Sequence, residues 1–270
     1  MEDSIRERKI EMIFDTHTHY DDSQFDVDRE DLLLGMKEAN VGAIVNMGAT
    51  MQGAKDSVAM AKQYPFVYAA VGIHPDCTKD LNEEEFEVLR ALAKEDKVVA
   101  IGEIGLDYYW DSTEREVQKY WFLRQLALAQ ELDLPIVIHS RDAAQDTYEI
   151  LKQEYVKRAT PWKGVIHCFS YSLELAREFV NMGFFIGIGG VATFKNGRKL
   201  KEVIEGIPLE FLVLETDCPY LAPEPFRGKR NSSEKLSYVV SAIAGMKGIT
   251  EEEVEQVTWE NAKKLYQITM

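Results

Sequence analysis

Three cysteines in 270 residues, Cys77, Cys168 and Cys218, are too few, too scattered and odd in number for a disulfide framework or a paired CxxC zinc knuckle. Reduced thiols are expected. No run of about 18 apolar residues occurs, so no segment reads as a membrane-crossing helix. The opening stretch MEDSIRERKIE is charged where a secretory signal would be apolar, and a cytoplasmic protein with no membrane role is expected. Pro/Gly/Ser-rich linkers, low-complexity tracts and repeats are also missing, so nothing marks a second domain. Positive charge is scarce: 31 Lys and Arg face 46 Asp and Glu, a formal net charge of −15. A chain this acidic repels polyanions over most of its surface, and any contact with nucleic acid must be local.

Apolar residues make up 46% of the chain, enough for one large core. They gather in eight short runs: MIFDTHTH, GAIVNMG, FVYAAVGIH, VVAIGEIGLD, LPIVIHS, KGVIHCF, FFIGIGG and FLVLETD. Near-continuous hydrophobicity suits strands buried on both faces of a parallel sheet. Amphipathic stretches separate them. From Glu114 to Leu132, for example, Val117, Trp121, Leu128 and Leu132 recur near helical spacing, and two further helices close the chain. Acid-rich segments such as DLNEEEFEVLRALAKED read as solvated faces of outer helices. Eight strand–helix units in about 250 residues predict an α/β fold, a single (β/α)8 TIM barrel over residues 12–270, with residues 1–11 as an N-terminal extension. The glycines of IGIGG lack the spacing of a dinucleotide fingerprint.

The chain has five histidines, and all fall at or just beyond the C-terminal ends of these runs: His17, His19, His74, His139 and His167. Glu103 ends the fourth run and Asp217 the eighth. Active sites of such barrels gather at that rim, so residues far apart in sequence converge there. In FDTHTHY, strand alternation puts Asp15, His17 and His19 on one face. Any one of these residues alone could be a hydrogen-bonded core group or a helix cap. Four imidazoles, a glutamate and an aspartate at one mouth are costly to bury unless a cation or a hydrogen-bond network satisfies them. The set suits zinc, manganese, iron or magnesium, and six ligands exceed what one tetrahedral ion needs. Two divalent ions with a carboxylate between them use all six: His17, His19, Glu103, His139, His167 and Asp217. Glu103 is the natural bridge, and Asp15 is placed to orient an imidazole from behind.

From Met12 onward the sequence resembles the TatD family of metal-dependent deoxyribonucleases in the amidohydrolase superfamily. The resemblance rests on DTHTH (Asp15 to His19), GIHP (Gly72 to Pro75), GEIGLD (Gly102 to Asp107), PIVIHSRDA (Pro135 to Ala143), IHCFS (Ile166 to Ser170) and ETDCPYLAP (Glu215 to Pro223). It implies two divalent metal ions per chain, Zn, Mg or Mn. One is held by His17, His19, Glu103 and Asp217, the other by Glu103, His139 and His167. The loop PFRGKRN also resembles the family, but Ser232 and Ser233 follow it where members commonly have an acidic residue and a proline.

The expected reaction is phosphodiester hydrolysis by a metal-activated water, with Asp217 as general base, Glu103 fixing the metals, and His74 bonding the scissile phosphate or protonating the leaving oxygen. A core role for His74 is the rival. Arg141, two residues beyond His139, either clamps a phosphate or pairs with a carboxylate such as Asp142. Arg227, Lys229 and Arg230 form the densest basic patch and are candidates for the substrate backbone, while Tyr108, Tyr109 and Trp110 suit base stacking or rim packing. Cys168 and Cys218 should point away from the pocket. A pocket of two cations with a short basic rim in an acidic chain suits exonuclease action by a monomer on single-stranded or frayed DNA, or on RNA. The rivals are an esterase, lactonase, phosphotriesterase or D-aminoacyl-tRNA deacylase using the same metals, and a non-catalytic metal-binding partner module.

Overall fold

A short strand that is apolar on both faces is stable only between a filled interior and a covering layer. Eight strands meet that condition in the computed structural model, which describes residues 12–110, 112–158 and 160–269. They are β1 (Ile13–Thr18), β2 (Val41–Gly48), β3 (Val67–Val71), β4 (Val98–Asp107), β5 (Ile136–Arg141), β6 (Gly164–Ile166), β7 (Phe184–Ile188) and β8 (Leu212–Leu214). They pair in chain order, every neighbour parallel. One further parallel bridge, Thr18 to Cys218, brings the end of β8 back to β1 and nearly closes the ring. Helices α1 (Arg29–Leu34), α2 (Met51–Gln63), α3 (Glu83–Leu92), α4 (Arg115–Leu132), α5 (Ala144–Val156), α6 (Leu173–Asn181), α7 (Arg198–Gly206) and α8 (Leu236–Lys247) follow the strands in turn, and α9 (Glu251–Tyr266) ends the chain. This is the expected TIM barrel. The extension over residues 1–11 lies outside the described residues.

The two faces of the strands build two cores. Phe14, Val45, Ala70, Ala100, Val137, Val165, Phe185 and Val213 fill the barrel interior, one or more from every strand. Ile44, Val71, Ile101, Ile138, Ile166, Ile186 and Leu214 face the helices. Each fully buried side chain of this kind contributes roughly 1.5–3 kcal/mol. The N-terminal end of the interior is sealed by α9, whose Leu265 and Tyr266 join the inner core, the Tyr266 hydroxyl donating to the Thr16 carbonyl at 2.7 Å. Thr250 caps α9 by accepting from the Glu253 N–H, with three glutamates in the first turn and Lys263 and Lys264 in the last, the charge order the helix dipole favours. With one end plugged, the open C-terminal end is where polar side chains can collect.

Candidate active site

That end holds a cavity of about 780 Å³, whose walls include His19, His74, Glu103, His139, His167 and Asp217. Glu103 stands at the centre. Its Oε2 lies 3.6 Å from Nε2 of both His17 and His19, and these two nitrogens are 3.1 Å apart. Asp217 Oδ1 completes that group at 3.6 Å from His17 and 3.5 Å from His19. The other oxygen, Oε1, lies 2.7 Å from His139 Nδ1 and 2.6 Å from His167 Nε2, which are 3.2 Å from each other. One carboxylate thus offers an oxygen to each of two clusters.

The far nitrogens decide how the near ones are used. His19 Nδ1 lies 3.1 Å from the Met47 carbonyl, which only accepts, so Nδ1 carries a proton and, in the neutral ring that can ligate a metal, the Nε2 lone pair faces the cluster. His139 Nε2 lies 2.9 Å from Asp107 Oδ2, which turns Nδ1 inward in the same way. Asp107 is itself anchored: its carboxylate accepts the N–H groups of Tyr109 and Trp110, and Gln118 grips its backbone N–H and carbonyl at 2.9 Å each. Seven residues along the same face of α4, Gln125 does the same for Ile73, next to His74. Two buried glutamines therefore set the ends of β3 and β4.

Asp15 departs from expectation. The β1–β2 pairing shifts register between Asp15 and Thr18, so strict alternation fails. The Asp15 carboxylate accepts from the Thr216 N–H at 2.9 Å, the Thr216 hydroxyl at 2.7 Å and the Ser233 hydroxyl at 2.7 Å, and it touches no imidazole. It fastens the segment carrying Asp217, whose own N–H donates to the His17 carbonyl at 3.0 Å. Ser233 is thereby a buried support.

The charges in the cavity suit a cation. Burial opposes a charge on His19, but its hydrogen bond to Asp217 and the nearby Glu103 and Asp217 charges overcome that and lift it to about 9. Burial likewise opposes a charge on His139, but hydrogen bonds to Asp107 and Glu103 lift it to about 9. His167 is raised too, Glu103 outweighing its burial. Burial would push Glu103 and Asp217 up, yet the surrounding imidazoles hold both below the carboxylate range. His17 is driven down by burial and by the His167 charge to about 4, and His74 by burial and the His139 charge to about 3. The carboxylates thus draw positive charge onto buried rings. The nitrogen and oxygen donors of His17, His19 and Asp217, and of Glu103, His139 and His167, lie close enough to hold an ion in each group. Imidazole with carboxylate is a donor set for divalent metals. The residues fit such ions.

At the lip, the Arg141 guanidinium packs 3.8 Å from the centre of the Tyr109 ring and 5.4 Å from that of Trp110. It pairs with no carboxylate among the described residues, Asp142 included. Of the described residues lining the cavity, Arg141 is the only lysine or arginine. Tyr109 and Trp110 are exposed, as is Tyr220 across the mouth, which sequence reasoning did not single out. Tyr108 is rim packing instead, its hydroxyl donating to Asp146 at 2.6 Å. Arg230 is not available for substrate: its two terminal nitrogens bind the Asp28 carboxylate and one also donates to the Gln24 carbonyl. Arg227 and Lys229 are exposed outside the cavity, with Arg227 against Phe194. His74 stands at the cavity wall, its ring 4.3 Å from that of His139, and its Nδ1 accepts from the Asp76 N–H. Cys218 is buried as expected, but β6 ends at Ile166, and Cys168, at φ 46°, turns into the cavity wall.

Known proteins resemble this chain in sequence and fold. A family model described as TatD related DNase matches residues 14–267. YabD of Bacillus subtilis, described as an uncharacterized metal-dependent hydrolase, is 45% identical over 257 residues, covering 95% of this chain and 100% of that protein. YcfH of Escherichia coli, described likewise, is 35% identical over 262 residues, covering 95% and 96%. The crystal structure of YjjV, a TatD homologue from Escherichia coli, superposes with a TM-score of 0.89 at 33% identity, covering 96% of this chain and 100% of that one. An organophosphorus hydrolase from Deinococcus radiodurans shares the fold alone, with a TM-score of 0.61 at 14% identity over 95% of this chain and 93% of its own.

Proposed function

From the premise that this chain belongs to the TatD family of metal-dependent hydrolases, we propose that it cleaves phosphodiester bonds in DNA, working inward from the end of a single or frayed strand. The observation that carries this reading is the pairing of two cation-ready donor clusters about Glu103 with a lip of one arginine and exposed aromatic rings. His17, His19 and Asp217 in one group and His139 and His167 in the other, with Glu103 available to both, would hold two divalent ions, and these would supply the Lewis acidity that makes a water nucleophilic near neutral pH.

The chain's own groups do the rest. Asp217, its carboxylate held ionised by the imidazoles around it, receives the proton of the attacking water. His74 accepts from the Asp76 N–H at Nδ1, so its proton is on Nε2. Its depressed pKa keeps it neutral, and it serves as a hydrogen-bond donor to the scissile phosphate rather than as an acid. Arg141 clamps one phosphate with its planar fork. Trp110 and Tyr109 take a base, a contact worth roughly 1–3 kcal/mol. A single lysine or arginine in the cavity matches one phosphate at a strand end, not a coated duplex, and Arg227 and Lys229 meet the outlying backbone only of longer strands.

The test is hydrolysis of end-labelled single-stranded DNA with Mg²⁺ or Mn²⁺, with and without chelator, by the wild type and Asp217→Asn. Stepwise release of nucleotides is expected, abolished by chelator and lowered at least about 100-fold by the substitution. A wild type that releases no nucleotides under any of these metals, yet hydrolyses simple esters, would replace the nuclease reading with an esterase.

A further inference from the structure

Of the four imidazoles in the two clusters, two have their far nitrogen accounted for, His19 on the Met47 carbonyl and His139 on Asp107. The other two do not. Among the described residues, Nδ1 of His17 and Nδ1 of His167 are buried with no hydrogen-bond partner, and so is Oε2 of Glu215. The three residues are 1%, 5% and 1% exposed. They are neighbours: one nitrogen from each ring and one Glu215 oxygen lie within 4.8 Å of one another. The His17 and His167 rings stack in parallel, centroids 4.0 Å apart with 11° between planes. Each ring presents Nε2 to a different cluster, so Nδ1 of each is left for a shared neighbour.

Glu215 is held for that role. Its Oε1 accepts the Cys168 N–H at 2.5 Å. Gly187 of β7 faces the carboxylate so closely that a Cβ there would lie 2.3 Å from Oε2. A buried carboxylate given this much room, with one oxygen tied and the other unpartnered beside two rings whose Nδ1 atoms are also unpartnered among the described residues, is a built site. A third cation there is disfavoured, because imidazole rings that ligate through Nε2 carry their proton on Nδ1 and have no lone pair left to offer it. Three unpartnered polar atoms on neighbouring buried side chains suit one buried water, which typically makes about three hydrogen bonds.

We propose that Glu215 is a positioning residue for both clusters at once, receiving the Nδ1 protons of His17 and His167 through one shared buried water. It orients a ligand of each cluster, and so couples two sites that Asp107 and Met47 serve one at a time. This rests on the two-ion reading above.

Calorimetric titration of the metal-free full chain with Zn²⁺ and with Mn²⁺ tests it, comparing wild type, Glu215→Gln and Asp107→Asn. The Gln side chain keeps an acceptor for Cys168 and replaces Oε2 by a donor. Loss of such an outer partner typically weakens metal affinity 10–100-fold. Glu215→Gln is expected to weaken both equivalents by that factor with the metal-free melting temperature unchanged, and Asp107→Asn to weaken only one. Two wild-type-like equivalents in Glu215→Gln, or the loss of only one, overturns the proposal while leaving the two-ion reading intact. A wild type that takes up no divalent ion overturns both. Should Glu215→Gln not fold, long-range ¹⁵N spectra of the zinc-loaded wild type read the same point. Protons on Nδ1 of both His17 and His167 are expected, and an Nε2-protonated ring at either position overturns the assignment.

Discussion

A carboxylate with no ion pair is an expensive group to bury, and Asp15 shows how the molecule uses one. Burial raises it from an ordinary 3.8 to about 6, against the hydrogen bonds from Ser233, Thr216 and the His17 N–H that pull it down. Its folded pKa therefore lies above the unfolded one. The stability it contributes is fully present below about pH 4 and is lost as pH rises through about 6. A difference of two units corresponds to about 3 kcal/mol. In urea denaturation of metal-free protein, Asp15→Asn should gain on the wild type between pH 4 and pH 7 by up to that amount, and parallel pH profiles would refute the argument. The two arginines once grouped as substrate contacts should also separate. Arg141→Ala is expected to raise KM for single-stranded DNA about tenfold, the loss of one charged hydrogen bond, with stability unchanged. Arg230→Ala should lower the melting temperature through the lost Asp28 contacts and leave KM alone; the reverse assignment in steady-state and thermal data would contradict the geometry. Sequence order could not separate them, because their difference lies in a loop folding back onto Asp28, a partner about two hundred positions away.

Among the elements, β4 carries Glu103, the centre of the site, and its pairing with β5 is broken by a register shift. Gly105 sits at φ 145°, and a Cβ there would fall 1.9 Å from the His139 carbonyl oxygen on β5. Gly105→Ala is accordingly expected to destabilise the protein by roughly 3 kcal/mol or more and to lower metal uptake by displacing His139, both measurable by chemical denaturation and elemental analysis. A variant of wild-type stability would mean that β4 and β5 are not this close. Periodicity read the strands well, since each had to be apolar on both faces, and it put the histidines at the rim because they end those runs. It misled at β1, where the register shift turns Asp15 out of the pocket, and at β6, which stops before Cys168. Asp107, Glu215, Gln118 and Gln125 went unread for a shared reason. Each acts by gripping a residue on another element, and their sequence neighbours carry no trace of that partner.

On the scale of the whole molecule, the barrel assigns opposite duties to its ends. The N-terminal end is closed by α9 and the inner apolar core, and the C-terminal end is left to polar groups that no protein partner fully satisfies. The net charge of −15 then works together with the site. An acidic surface repels polyanions, while the rim offers one arginine and the site below it buried carboxylates. The proposed activity and metal binding both rest on Glu103 giving one oxygen to each cluster. The most direct measurement is anomalous diffraction from crystals of the protein grown with Mn²⁺. Two peaks are expected, one among His17, His19 and Asp217 and one between His139 and His167, with the Glu103 carboxylate between them. A single peak, or peaks away from these side chains, would contradict the account.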